Sequence, residues 1–153
     1  MKITLSRIEA DEHIIQVRME NVEKNSLPVA DIFNTFAKYN VNIDMISSVN
    51  FEDSLRIDFT CDDNNVPALS EAIGEVNANH PRIHIFTKRN VCKLIVEGEE
   101  MREQPGVAAQ VFDILGRNMI PFSQVTTSEI SISFVLHKKY MDKALKAIKE
   151  EME

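Results

Sequence analysis

Val29-Ala30-Asp31-Ile32-Phe33 and Ala108-Ala109-Gln110-Val111-Phe112 are the two stretches on which the reading of this chain turns. Phe33 and Phe112 lie 79 positions apart, and the same offset sets Ala30 against Ala109, Ile32 against Val111 and Val17 against Val96. Repetition at one offset across a chain of 153 residues describes a single structural unit used twice. Around the first stretch, Val29, Ile32, Phe33 and Phe36 recur at helical spacing up to Tyr39, and Pro28 follows the cap-type residues Asn25 and Ser26. The spacing predicts a helix over 28–39, ended by Asn40.

Working outward, Ile3, Leu5 and Ile8 alternate with polar residues, and so do Ile14, Val17 and Met19, which suits short half-buried strands. Strands are predicted over 41–49 and 55–59, with a turn over 50–54. Beyond Asp62-Asp63-Asn64-Asn65, Pro67 opens a helix whose face is Leu69, Ala72, Ile73 and Val76, and a strand follows over 82–87. The order βαββαβ then restarts: strand 91–96, helix 106–117, strands 122–126 and 130–136, and a last helix carrying Met141, Leu145, Ile148 and Met152. The second copy stops one strand short, whereas the first is preceded by a surplus strand over 3–8. The economical solution lets the N-terminal strand complete the second sheet. The predicted class is α+β, two ferredoxin-like βαββαβ units, with residues 10–88 as the first and 2–9 plus 90–153 as the second. Phe33, Phe36, Phe112 and Phe122 are predicted core residues.

Composition limits the function. With 17 Lys+Arg against 24 Asp+Glu the net charge is −7, which opposes binding to a phosphate backbone. The unit order is also that of RNA-binding modules, but their base-stacking aromatics are absent from the strand over 14–19, and the strand over 55–59 carries only Phe59. No apolar run approaches the ~20 residues of a membrane helix, and a cytoplasmic location is expected. The chain's 4 glycines, at 74, 98, 106 and 116, draw no phosphate loop or dinucleotide fingerprint. His13, His80, His84 and His137 form no metal pattern with Cys61 and Cys92, which read as reduced, buried thiols. No catalytic residue, cofactor or metal is expected.

The segment from Met101 to Ala109 stands apart, because Pro105-Gly106 at a helix start lets a backbone approach a carboxylate. A loop that simply starts a helix is the other reading of the same residues. Here the chain resembles the tandem ACT regulatory region of aspartokinases. The second unit carries Val91-Cys92-Lys93-Leu94, Gly98, Met101-Arg102, Pro105-Gly106-Val107-Ala108-Ala109, Phe112 and Thr127-Ser128-Glu129-Ile130-Ser131-Ile132-Ser133. The first carries Asn42-Ile43-Asp44-Met45-Ile46 and Asp58-Phe59-Thr60.

The resemblance implies an allosteric module that binds lysine, threonine or both for feedback control of aspartate phosphorylation, working with a kinase domain in cis or in trans. It also implies a homodimer with effector sites where the first unit of one chain meets the second of the other. An effector carboxylate would meet backbone N–H groups over Ser26, Leu27, Pro28, Val29 and Ala30, and its ammonium would meet Asp44, flanked by Asn42, Ile43 and Met45. Gly106, Phe122, Ser123, Gln124, Ser128 and Glu129 would close the site from the facing unit. Departures accompany the match: Ser26-Leu27 replaces the family's Pro-Gly, Ser48-Val49 its Gln-Asn, and Ser123 its acidic or amide residue. Asp44 is alternatively a solvated strand residue or a dimer salt bridge, and Ser128 and Glu129 alternatively pin a turn. A free-standing sensor of another amino acid and a ligand-free dimerisation scaffold are the remaining readings. Gly106 is expected to hold backbone angles that only glycine tolerates.

Overall fold

The computed structural model describes residues 5–152. In chain order the elements are β1 (Arg7–Asp11), β2 (Ile14–Val22), α1 (Ser26–Lys38), β3 (Ile43–Asn50), β4 (Leu55–Asp62), α2 (Val66–Asn79), β5 (His84–Lys88), β6 (Val91–Glu97), α3 (Val107–Arg117), β7 (Gln124–Thr127), β8 (Ser131–His137) and α4 (Met141–Met152). Single 3-10 turns at Glu99–Arg102 and Lys138–Tyr140 join the last elements. The fold is α+β and built as two ferredoxin-like units, His13–Arg89 and the remainder of the described chain.

The first unit's sheet runs β5-β2-β4-β3 and the second's β1-β6-β8-β7, so β1 occupies in the second sheet the place that β5 holds in the first. β1 lies antiparallel on β6, from Arg7 opposite Glu97 to Asp11 opposite Lys93. Arg7 closes the ladder with an ion pair to Glu97 at 3.0 Å. The strand runs from Arg7 to Asp11, further along the chain than 3–8; Ile3 lies outside the described residues. Ile8 packs into the core while Glu9 is exposed, and a ladder centred on Glu9 and Ala10 carries too little apolar alternation to be read in advance.

Local chemistry explains the helices. The Asn25 side chain caps α1 by accepting the Leu27 N–H at 3.1 Å, and Asn65 caps α2 by accepting the Ala68 N–H at 3.2 Å. α1 and α3 end alike: Val41 N–H donates to Phe36 and Asn40 N–H to Ala37, and Ile120 N–H donates to Leu115 and Met119 N–H to Gly116. All four positions obey the offset of 79. The turn needs a left-handed residue, supplied by Asn40 at φ 59° and by Met119 at φ 53°. Asparagine tolerates that region, whereas an ordinary L-residue is strained by roughly 1–2 kcal/mol. Met119 is 80% exposed and gives up little packing, so Met119→Asn or Met119→Gly is expected to stabilise the second unit by about 0.5–1 kcal/mol, read as a rise in melting temperature.

Each unit has its own core. In the first, Ile15, Val17, Met19, Ile57 and Phe59 of the sheet meet Ile32, Phe36, Leu69 and Val76 of the helices. In the second, Leu94, Val96, Ile132 and Phe134 meet Val111, Ile114, Leu115 and Ile148. Phe33 lies 6.1 Å from Phe59 and its counterpart Phe112 lies 5.4 Å from Phe134, ring centroid to ring centroid. Phe59 and Phe134 are 75 positions apart, not 79. The change of four arises in the hairpin: β3 has 8 residues and a bulge between Asp44 and Ser47, whereas β7 has 4 and pairs regularly. The predicted aromatic core is corrected in part. Phe36 is fully buried and Phe33 half-buried, but Phe112 is 38% and Phe122 41% exposed, because both rest one side of the ring on Phe134 from the rim of the core.

Candidate functional site

In the first unit Ser26 begins α1, Leu27 is 77% exposed, Pro28 and Val29 are half-buried, and Ala30 is exposed. Asn42, Ile43, Asp44 and Met45 follow the other end of the same helix. A 13-residue helix spans about 20 Å, so within one unit the structure does not bring these two groups together. Asp44 is exposed at the start of β3, its carbonyl accepting the Thr60 hydroxyl at 3.2 Å. Met45 is buried and sits in the bulge at φ 53°, a residue held in a region that favours glycine. Asn42 lines a cleft with Tyr39, Asp62 and Asn65.

The second unit divides the same way. Gly106 precedes α3, while Phe122, Ser123 and Gln124 follow its far end; the Ser123 N–H donates to Val135 at 2.9 Å and Gln124 is buried. Ser128 and Glu129, at the tip of the β7–β8 hairpin, return to the start of α3. There they line a cleft of about 240 Å³ with Gln104, Pro105, Val107 and Ala108. The Ser128 hydroxyl pins the turn, at 2.7 Å from the Ser131 hydroxyl and accepting the Ile130 N–H at 3.3 Å. Glu129 pairs with Arg102 at 3.5 Å.

Gly106 has φ −88° and ψ −7°, and a Cβ there meets nothing within 4 Å. The expected need for unusual angles is therefore corrected, since the position is ordinary right-handed backbone. Gly106→Ala is expected to change stability by less than about 1 kcal/mol in thermal melts.

A cleft of about 310 Å³ occupies the equivalent place in the first unit, where Pro28 at the start of α1 meets Asp53 and Ser54 at the tip of the β3–β4 hairpin. Asn21 and Glu23 from the end of β2, and His80 and Arg82 from the α2–β5 connection, complete it. Sequence reasoning missed these residues. The available signal is the duplication itself: with the offset of 75 that holds beyond the hairpin, Asp53 and Ser54 correspond to Ser128 and Glu129, whereas 79 points to Val49 and Asn50. The cleft's fixed parts are the Asn21 amide, which donates to the Arg82 carbonyl at 3.1 Å, and His80, 2.8 Å from Asp31.

The two thiols are chemically quiet. Cys61 and Cys92 are buried and unpaired, and burial pushes each up to about 11, helped at Cys61 by Asp62 and at Cys92 chiefly by Glu12. Thiolate, the reactive form, is then scarce at neutral pH. Among the described residues no His, Cys, Asp and Glu cluster suits a metal, and no helix is long and apolar enough to cross a membrane.

Comparison with known proteins agrees with this architecture. A family model of the ACT domain matches residues 94–152. The chain is 28% identical over 146 residues to aspartokinase 2 of Bacillus subtilis, covering 95% of this chain and 36% of that protein. It is 29% identical over 145 residues to the aspartokinase of Helicobacter pylori strain 26695, covering 94% and 35%. The chain thus spans about a third of the length of the curated relatives it matches. The ligand-free regulatory subunit of aspartate kinase from Thermus thermophilus has the same fold, with a TM-score of 0.87, 21% identity and 100% of both chains covered. Residues 94–152 match the ACT domain family, and nearly the whole chain is similar in sequence to a part of aspartokinases and in fold to a regulatory subunit of aspartate kinase.

Proposed function

We propose that this chain is the amino-acid-sensing part of an aspartokinase, binding lysine and/or threonine and reporting to a kinase domain in cis or in trans. The observation that carries the reading is the end-to-end likeness to a regulatory subunit, alongside aspartokinase relatives aligned over nearly all of this chain. An effector bound more tightly by one arrangement of a homodimer shifts its population, and ~1–3 kcal/mol of coupling changes activity several-fold. Because Ser26–Ala30 and Asn42–Met45 stand at opposite ends of α1, a single effector touching both groups needs a second copy to supply one of them.

The test is a calorimetric melting scan with lysine and threonine at millimolar concentration. A ligand at a hundred times its dissociation constant adds ~2.7 kcal/mol, a rise of several degrees. Asp44→Ala is expected to weaken the effector at least tenfold while the dimer persists, measured by titration calorimetry and sedimentation; unchanged affinity removes the ammonium role from Asp44. The loss of Pro-Gly at Ser26-Leu27 favours a second reading, a ligand-free scaffold, which would give a stable dimer indifferent to every amino acid.

A further inference from the structure

Two bulges interrupt the first sheet, and they are built from different residues. In β2 the register shifts between Met19 and Val22, and Asn21 takes a left-handed angle there, φ 63°, with its amide tied to the Arg82 carbonyl. In β3 the register shifts between Asp44, opposite Thr60, and Ser47, opposite Asp58, so that Met45 and Ile46 together stand over Phe59. Met45 is 6% exposed and takes φ 53°. A left-handed bulge position is the usual place of glycine, and asparagine tolerates the angle, whereas methionine is strained by it. β3 is also an edge of its sheet, paired with β4 alone, so a single ladder sets its register. Its counterpart β7 pairs regularly.

We propose that the β3 bulge is a register switch that decides which face of the sheet carries the Asp44 carboxylate. Cross-strand partners share a face. In the observed register Ile43 stands opposite Cys61 and packs on the core, and Asp44 stands opposite Thr60 on the other face. Drawing the extra residue out of the bulge moves residues 43–46 by one step, about 3.3 Å, which the connection over 40–42 takes up. Asp44 then stands opposite Cys61, Met45 opposite Thr60 with ordinary strand angles, and Ile46 opposite Phe59. The exchange is close to balance. Ile46, 56% exposed in the observed register, replaces Ile43 against the core, one isoleucine for another. Relief of Met45 offsets loss of the bond from the Thr60 hydroxyl to the Asp44 carbonyl. The Asp44 carboxylate crosses to the helix-covered face, beside the cleft lined by Asn42, Cys61 and Asp62. An effector that holds Asp44 on one face therefore selects one register. That consequence rests on the reading of the chain as an amino-acid sensor, while the slip rests on the strand geometry.

Disulfide trapping on the full chain tests the slip, with Cys92→Ser leaving Cys61 as the one native thiol. Ile43→Cys closes on Cys61 in the observed register, and Asp44→Cys closes on it only in the slipped one. Diamide is expected to oxidise both pairs, the second more slowly. Adding Met45→Gly, which relieves the bulge, should slow the Asp44→Cys reaction at least tenfold. Adding Met45→Val, whose branched side chain resists the left-handed angle, should speed it. Relaxation dispersion on the unsubstituted chain needs no variant to fold: millisecond exchange is expected at the amides of 44–46 and not at 124–127 of β7. An Asp44→Cys reaction that is absent, or as fast with Met45→Gly as with methionine, overturns the switch, and so does a flat dispersion profile across β3. Neither measurement contains an effector, so failure of the switch leaves the sensor reading to its own test.

Discussion

Phe134→Ala is expected to lower the melting temperature of the second unit by more than about 10 °C. Phe134 is fully buried at the centre of β8, opposite Leu94, and its ring meets Phe112 at 5.4 Å and Phe122 at 5.3 Å. Truncating such a side chain costs roughly 3–5 kcal/mol in lost transfer energy and cavity. Each edge-to-face partner adds about 0.5–1.5 kcal/mol. A unit of this size gains or loses about 4–8 °C per kcal/mol. The two neighbouring rings are already partly exposed and can shift, which sets the lower bound of the loss. Phe59→Ala should do the same to the first unit, where Phe36 stands 5.1 Å away. Calorimetry and hydrogen exchange on both variants check the assignment of each ring to its own core; loss of protection in the wrong sheet would contradict it.

Removal of residues 1–11 is expected to open the second unit while the first keeps its protection. β1 contributes a five-residue ladder on β6, the Arg7–Glu97 ion pair, and the apolar side chains of Leu5 and Ile8 against the core. Burying two such side chains stabilises by roughly 1.5–3 kcal/mol each at full burial, a large part of the ~5–15 kcal/mol that holds a domain together. The deletion also leaves β6 as an uncovered edge, which favours association between chains. Hydrogen exchange should show β6 and β8 losing protection and β2 and β4 retaining it. Equal exchange in both sheets would refute the role of β1.

Much of the fold was legible because duplication writes each signal twice. The helix read from Val29, Ile32, Phe33 and Phe36 appears as α1, and the one read from Val111 and Phe112 as α3, with matching C-terminal turns. The surplus N-terminal strand was legible from counting alone, since a sheet lacking its fourth strand and an unclaimed strand in one chain have one simple resolution. Its position was not, because Glu9, Ala10 and Asp11 show no apolar rhythm. The site was less legible. The resemblance assigns one effector to the helix start Ser26–Ala30 and the strand start Asn42–Met45, which within one unit α1 holds apart by its own length. Gly106 looked conformationally special beside Pro105 and holds ordinary angles.

The sequence by itself determined the class of fold, the duplication, the exchange of the first strand and the likeness to a regulatory region. These follow from periodicity and chain order, which are local or one-dimensional properties. Only the tertiary structure decided which loops share a cleft. Glu23, Asp53 and Arg82 are far apart in sequence and line one cleft because the end of β2, the start of β4 and the chain leading into β5 lie at the same side of one sheet. The tertiary structure also fixed the four-residue slip between the two hairpins, where an extra length of strand and a bulge at Met45 change the correspondence from 79 to 75. No periodicity records such a slip, because a bulge and a longer turn cost little locally and show themselves only through the partners that the next strand finds.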